Sequence, residues 1–339
     1  MPLSLQGVGV SLRLADMTNN VRIMPNIVII AYKGVQQSAL FGLGEMFELA
    51  NQLMGDDVEL KITHQVLAPS SVDNDQSIDA VILPPNLTGA RGNGDQNLHN
   101  WIKRQHSSGV IICSACAGGY WLGHAGILDG RPATTHWALE ADFRSTFPQV
   151  QLSPENILVD DNDIVTAGGV MAWVDLGIHL IGRWCGPTVV SKICRQMLID
   201  PNGREQRNYR SFCPVMGHKD QAIRALQLWM ESNINEDLSI MALSVRAKIS
   251  VRSLQRRFSN STGYSINQYV QELRIEKAKG LLELTMLTIG EVCWRVGYQD
   301  VSAFNRLFKS ISGLSAGRYR QRFNVNQANK DKANIYSVK

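Results

Sequence analysis

The feature that most constrains this chain is a repeat near its C-terminus, at an offset of fifty residues. Ser250-x3-Leu254-x-Arg256-x-Phe258-x4-Gly263-x-Ser265-x3-Tyr269 returns as Asp300-x3-Phe304-x-Arg306-x-Phe308-x4-Gly313-x-Ser315-x3-Tyr319. Each copy opens with a side chain, Ser250 or Asp300, that can accept from the free N–H groups of a helix start. Each ends at a glycine, Gly263 or Gly313, where a helix can stop. A short amphipathic run precedes each copy, at 238–243 and at 288–296. A short helix, a tight turn and a second helix with a basic outward face form the helix-turn-helix pattern. Val251, Leu254 and Phe258 are expected to face inward in the first copy, which leaves Arg252, Gln255 and Arg256 outward. In the second copy Phe304, Leu307 and Phe308 are inward, leaving Ser302, Asn305 and Arg306, with Lys309 as a phosphate contact. Arg suits guanine and Asn or Gln suits adenine in bidentate fashion, so these outward residues are the expected base readers. The amphipathic stretch from Ser265 to Leu284 is the expected connector helix.

Charge supports this reading. The net charge is +4, which says little until it is divided. Residues 1–219 hold 16 basic against 20 acidic side chains, whereas 220–323 hold 15 against 9. The positive charge lies where the repeat lies, as contact with phosphates requires. No apolar run of eighteen residues occurs, so no membrane span is expected. The first residues lack a basic region ahead of an apolar one, so no signal peptide is expected. Six cysteines in 339 residues do not read as a disulfide framework, which points to a reducing cytoplasm. No second close Cys/His pair completes a metal set, and no cofactor is expected.

Two helix-turn-helix units joined by a longer helix resemble the AraC/XylS family of transcription regulators. The resemblance also rests on Leu273-Arg274-x3-Ala278-x2-Leu281-Leu282, Val296-Gly297-Tyr298 and Gly313-x-Ser315-x3-Tyr319-Arg320. Ala316 stands where the family usually has proline. The resemblance implies a transcription activator that binds double-stranded DNA in two major-groove segments per subunit. It also implies a homodimer, a small-molecule effector and contact with RNA polymerase.

The N-terminal two-thirds read differently. Asn26–Tyr32, Lys61–Leu67, Ala80–Leu83, Gly109–Ser114 and 163–167 are short apolar runs, and helical stretches at Ser38–Leu53, Asn97–His106, Gly118–His124 and Ala172–Trp184 fall between and after them. Strands alternating with helices predict an α/β domain, a doubly wound, flavodoxin-like parallel sheet, ahead of the all-α domain. The expected division is a flexible arm over 1–22, a sensor and dimerisation domain over 23–205, a linker over 206–219, the DNA-binding domain over 220–323 and a disordered tail over 324–339. Small residues surround Cys116 at a strand-to-helix corner, which suits a nucleophile elbow. A helix start there would favour thiolate. Cys113 falls inside the strand and is expected in the core.

These residues resemble the intracellular-protease and glutamine-amidotransferase-like superfamily of PfpI type, in its branch fused to AraC-type domains. The match includes Gly42-x2-Glu45-x-Phe47, Cys116-Ala117-Gly118, Ala125-Gly126-Ile127-Leu128-Asp129-Gly130, Ala133-Thr134-Thr135-His136-Trp137 and Thr166-Ala167-Gly168-Gly169. Leu43 and Ala39 depart from the proline and aspartate usual there. Carried over by position, Glu45, Cys116 and His136 would meet in one pocket. Glu45, Cys116, Gly118, Tyr120 and His136 are therefore the expected ligand-binding residues, with Trp121, Trp137 and Trp173 as an aromatic wall for a cation. Related regulators respond to small amino compounds, including arginine and quaternary amines. Binding without catalysis is the expectation for a regulator. A cysteine hydrolase or amidotransferase carrying a DNA-binding module is the alternative.

Overall fold

In the computed structural model the described residues are 25–55, 61–72, 77–89, 91–92, 94–200 and 204–325. The expected arm over 1–22 and the tail from 326 onward lie outside them.

The α/β part begins with β1 (Asn26–Ile30), α1 (Gln37–Met54), β2 (Thr63–Leu67) and β3 (Ala80–Leu83). Next come α2 (Gln96–Ser107), β4 (Ile111–Ala115), α3 (Gly119–His124), β5 (Pro132–Ala133) and α4 (Glu140–Thr146). It closes with β6 (Gln151–Leu152), β7 (Leu158–Asp161), β8 (Ile164–Ala167), α5 (Trp173–Cys185) and α6 (Pro187–Gln196). Six strands form one sheet in the order β2-β1-β3-β4-β8-β7. The central strands are parallel, with Ile29 beside Ile82, Ile82 beside Cys113 and Cys113 beside Val165. They are buried on both faces, which is why they read as unbroken apolar runs. Helices α1, α5 and α6 pack on one another, and α2 and α3 form a second group against β4.

The sheet is mixed rather than wholly parallel, because β7 runs antiparallel to β8. Its sequence, Leu-Val-Asp-Asp, is a half-exposed edge with no buried run to announce it. The short pair β5–β6, together with α4 and α6, was likewise not anticipated.

The helical part holds α7 (Gln221–Ser232), α8 (Ile240–Ala247), α9 (Val251–Thr262), α10 (Ile266–Leu284), α11 (Ile289–Arg295), α12 (Val301–Ser312) and α13 (Ala316–Phe323). The starts of α8, α9, α11 and α12 are capped by Ser239, Ser250, Thr288 and Asp300, each accepting a backbone N–H. Gly263 and Gly313 end α9 and α12 at φ values of +78° and +80°, a conformation that glycine adopts without strain. The connector α10 spans two apolar clusters. Ile266, Tyr269, Val270 and Leu273 join the first unit's core, and Ile275, Ala278 and Leu282 join the second's.

The segment expected as a polar linker is packed instead. Gln206, Asn208 and Phe212 are buried, and Phe212 belongs to the core of the first helix-turn-helix unit. Asn324, expected to open the disordered tail, is buried and donates to the carbonyls of Leu282 and Thr285. Its amide closes the exposed end of α10, a demand that no local pattern reveals.

Candidate functional sites

Cys116 directly follows β4 and stands at φ +54°, the strained corner expected of an elbow. A cavity of about 240 Å³ opens beside it, at the carboxyl ends of β3, β4 and β8. Asn86, Arg91, Cys116, Tyr120, His136 and Val170 line it. Of the five expected residues, the fold brings Cys116, Tyr120 and His136 together here. Glu45 is not among them. Helix α1 buries Leu43 and Met46 against α5 and Phe47 beside His64 of β2, and Glu45 is exposed between them. Gly118 is also absent from the lining. A Cβ there would press on the carbonyl oxygens of Leu83 and Pro84, so its smallness serves the approach of the elbow to β3.

The aromatic wall does not assemble either. Trp173 lies against Gly42, buried in the core. Trp121 stacks on Tyr32 and His99, at centroid distances of 5.1 and 5.4 Å, and lines a different cavity. Trp137 packs beside His136 at 5.2 Å, outside the lining. Of the expected aromatic wall, none of the three Trp rings lines the cavity; among the described residues Tyr120 and His136 contribute the rings.

The charged group of the cavity is one the sequence reading missed. Arg91 donates from Nη1 to the Tyr120 hydroxyl at 2.6 Å and to Asp142 at 2.5 Å, and lies over the Tyr120 ring. Tyr120 itself donates to Asp142. Arg91 lies within a Gly-rich stretch, between Gly89 and Gly92, with no periodicity, so nothing local marks it.

Burial pushes the Cys116 thiol up to about 11, and the Ala117 N–H bonded to the sulfur offsets only part of that. Desolvation therefore outweighs the helix-start effect, and near neutral pH the group is a thiol. Burial also holds the His136 imidazole below its usual range, so it is neutral. Its Nδ1 accepts from the Ala138 N–H at 3.0 Å, which leaves the ring proton on Nε2. Among the described residues no hydrogen bond joins His136 to Cys116.

On the helical part, Arg252, Gln255, Arg256, Ser302, Arg306 and Lys309 are exposed, and Asn305 is half-buried. Leu254, Phe258, Phe304 and Phe308 are fully buried beneath them. Val251 and Leu307, expected inward, are half-buried at the rim. Arg257, which follows two of the candidate readers, is held in a forked pair with Asp220 at 2.8 and 2.7 Å. It fixes α7 to α9, and that pairing across 37 positions has no sequence signal.

Comparison with known proteins matches both parts. Residues 27–182 match the DJ-1/PfpI family, and residues 243–322 match a helix-turn-helix domain of AraC type. The chain is 26% identical over 258 residues to the HTH-type transcriptional regulator GbdR of Pseudomonas aeruginosa, covering 76% of this chain and 70% of that one. It is 27% identical over 224 residues to the HTH-type transcriptional regulator CdhR of the same species, covering 66% of each. The HTH-type transcriptional regulator GlxA of Rhizobium meliloti is 27% identical over 228 residues, 66% of this chain and 69% of that one.

Proposed function

We propose, on the premise that this chain is a transcription regulator joining a DJ-1/PfpI domain to an AraC-type helix-turn-helix domain, that the Cys116 cavity binds a small carboxylate-bearing metabolite and does not convert it. The observation that carries this is that Cys116 and the Arg91 guanidinium line one small cavity, with no hydrogen bond from His136 to Cys116 among the described residues; burial, which pushes the thiol up, supports it. About 240 Å³ is below the roughly 300–1,000 Å³ of clefts that hold drug-sized ligands, and it suits an amino-acid-sized molecule. A guanidinium has five N–H donors in a fork that matches a carboxylate, and the bonds of Arg91 to Tyr120 and Asp142 both run from Nη1. The Tyr120 ring, which lines the cavity, would face the ammonium or quaternary amine of the same ligand. Glu45, on the far side of α1, has no part in this.

In this reading residues 23–205 sense and dimerise, 206–219 connect, and 220–323 bind DNA. The regulator works in the cytoplasm as a homodimer that activates transcription with RNA polymerase. Arg252, Gln255 and Arg256 read one major-groove segment, while Ser302, Asn305 and Arg306 read a second, with Lys309 on a phosphate. The spacing is about 10 base pairs on one face, set by α10. A ligand that binds one packing state of the domains better than another shifts output, whereas turnover would erase the signal.

Reporter output across an effector screen, with mass spectrometry of the ligand, tests the reading. Cys116→Ser keeps the response, and Cys116→Trp, which fills the cavity, abolishes it. Arg91→Ala weakens it most for carboxylate ligands. A consumed ligand together with a silent Ser variant would move Cys116 to a catalytic role.

A further inference from the structure

Gln206 is a buried amide outside the cavity lining whose donor and acceptor are both engaged. It is 2% exposed. Its Nε2 donates to the Thr135 carbonyl at 2.8 Å, the Asn156 carbonyl at 2.9 Å and the Thr134 hydroxyl at 3.2 Å. Its Oε1 accepts from the Trp137 N–H at 3.0 Å, and its own backbone N–H donates to Glu155. A Cβ at Gly168 would overlap the amide, so the chain leaves room for it. The loop it grips is the wall of the cavity. Thr135 donates to the Cys116 carbonyl at 2.8 Å, and His136 lines the space.

The residues after Gln206 grip the other half of the molecule. Arg207 and Asn208 lie against Gly313, the glycine that ends α12, so closely that a Cβ there would stand 2.6 Å from Arg207 Nε and from Asn208 Oδ1. Tyr209 packs edge-on against Phe323 at 5.3 Å and receives a hydrogen bond from Arg322 at 2.9 Å. The Arg210 carbonyl accepts from Lys279 of α10 at 2.5 Å, and the Phe212 N–H donates to Glu276 at 3.0 Å. On the near side, Arg204 pairs with Asp175 of α5.

We propose that residues 204–212 are a coupling strap, with Gln206 the positioning residue that carries movement of the Thr134–Trp137 cavity wall to α12 and α13. A buried amide whose donor and acceptor are both satisfied is costly to unseat, because each group left unpaired loses its full partner energy. The strap therefore moves with the loop rather than separating from it. Two residues further on, it rests on the end of the second recognition helix. The regulatory consequence rests on the cavity being the sensor, while the mechanical coupling does not.

The matched glycines supply the test. Gly263 and Gly313 end α9 and α12 at nearly the same positive φ, so alanine strains both caps alike. Nothing lies within 4 Å of a Cβ at Gly263, whereas the strap meets one at Gly313. Hydrogen exchange is followed in the full-length, ligand-free chain. Gly313→Ala should speed exchange several-fold in peptides covering 134–138 and 205–212, while Gly263→Ala leaves those peptides unchanged. In the reverse direction, Gln206→Ala should speed exchange in 309–323 more than in α9, because Arg207 and Asn208 sit on the α12 cap whereas the strap reaches the core of α9 only through Phe212, six residues further on; this variant serves if Gly313→Ala unfolds α12 outright. Equal behaviour of the two glycine variants at 134–138, or an effect of Gln206→Ala confined to the sensor side, overturns the coupling. Cys116→Trp is read on the same peptides. An unchanged 309–323 there, with both other results positive, would sink the cavity as sensor and leave the strap standing.

Discussion

The two helix-turn-helix units share a local design and differ in what holds them. Leu254, Phe258 and Thr262 of α9 correspond to Phe304, Phe308 and Ser312 of α12, all buried. In both helices the last of these, Thr262 or Ser312, donates back to the carbonyl four residues earlier. The first unit is pinned from outside by α7, through the Arg257–Asp220 pair, and its C-terminal cap is open. The second has its cap covered by Arg207 and Asn208 from the strap. The same fold can thus leave one C-terminal cap open and cover the other with Arg207 and Asn208, although Phe212 of the same strap also joins the first unit's core. Repetition in sequence preserved the caps and the core but not the tertiary neighbours.

The largest effect expected is on the separate cores. Phe258→Ala and Phe308→Ala should each cost about 3–5 kcal/mol, since each deletes a fully buried ring. Because the two rings belong to different apolar clusters, exchange protection should fall first in α7–α9 for one variant and in α11–α13 for the other. A uniform loss across both units would erase the distinction drawn here.

Base reading comes next. Arg256→Ala and Arg306→Ala should each weaken operator binding by about 1–3 kcal/mol and relax preference at one base position. Footprinting should place the two positions in separate groove segments. If neither substitution altered affinity or preference, the docking would be wrong for both units.

A smaller effect is expected at the open cap. Gly263→Ala should cost about 1–2 kcal/mol, the strain of a side chain in the left-handed region, with no change in effector response. Thermal unfolding and reporter output check the two halves of that statement.

The smallest effect concerns the anchor of the first unit. The Arg257 guanidinium holds the Asp220 carboxyl at about 2, below its usual 3.8. A depressed carboxyl stabilises fully above its unfolded value and loses that contribution as pH falls toward the folded one. Asp220→Asn keeps an effective helix cap but loses the charge. The gap in melting temperature between it and the unaltered chain should be constant above about pH 5 and narrow from there to about pH 2. A gap that does not vary with pH would show that the pair contributes by packing alone.

Much of this protein was legible because the forces involved are local. Caps, left-handed glycines and the apolar positions of α9 and α12 lie within a turn or two of one another, so spacing reports them. Buried parallel strands read as apolar runs because both faces meet helices. The half-exposed edge strand β7 left no such trace. Among the cavity residues, Cys116 was legible from its small neighbours at a strand end, Tyr120 from its closeness in sequence to that corner, and His136 from the family pattern. Glu45 failed because placement by resemblance does not say which side of α1 faces the sheet. Arg91 and Gln206 were invisible for a related reason. Their partners stand far off in the chain, 51 positions away for Asp142 and 71 for Thr135. The sequence by itself determined two units of helix-turn-helix, an α/β layer and a cysteine at its elbow. Only the tertiary structure decided which side chains share the cavity, that burial pushes the thiol up rather than down, and that residues 206–212 are packed, because burial and pairing are properties of residues brought together from distant parts of the chain.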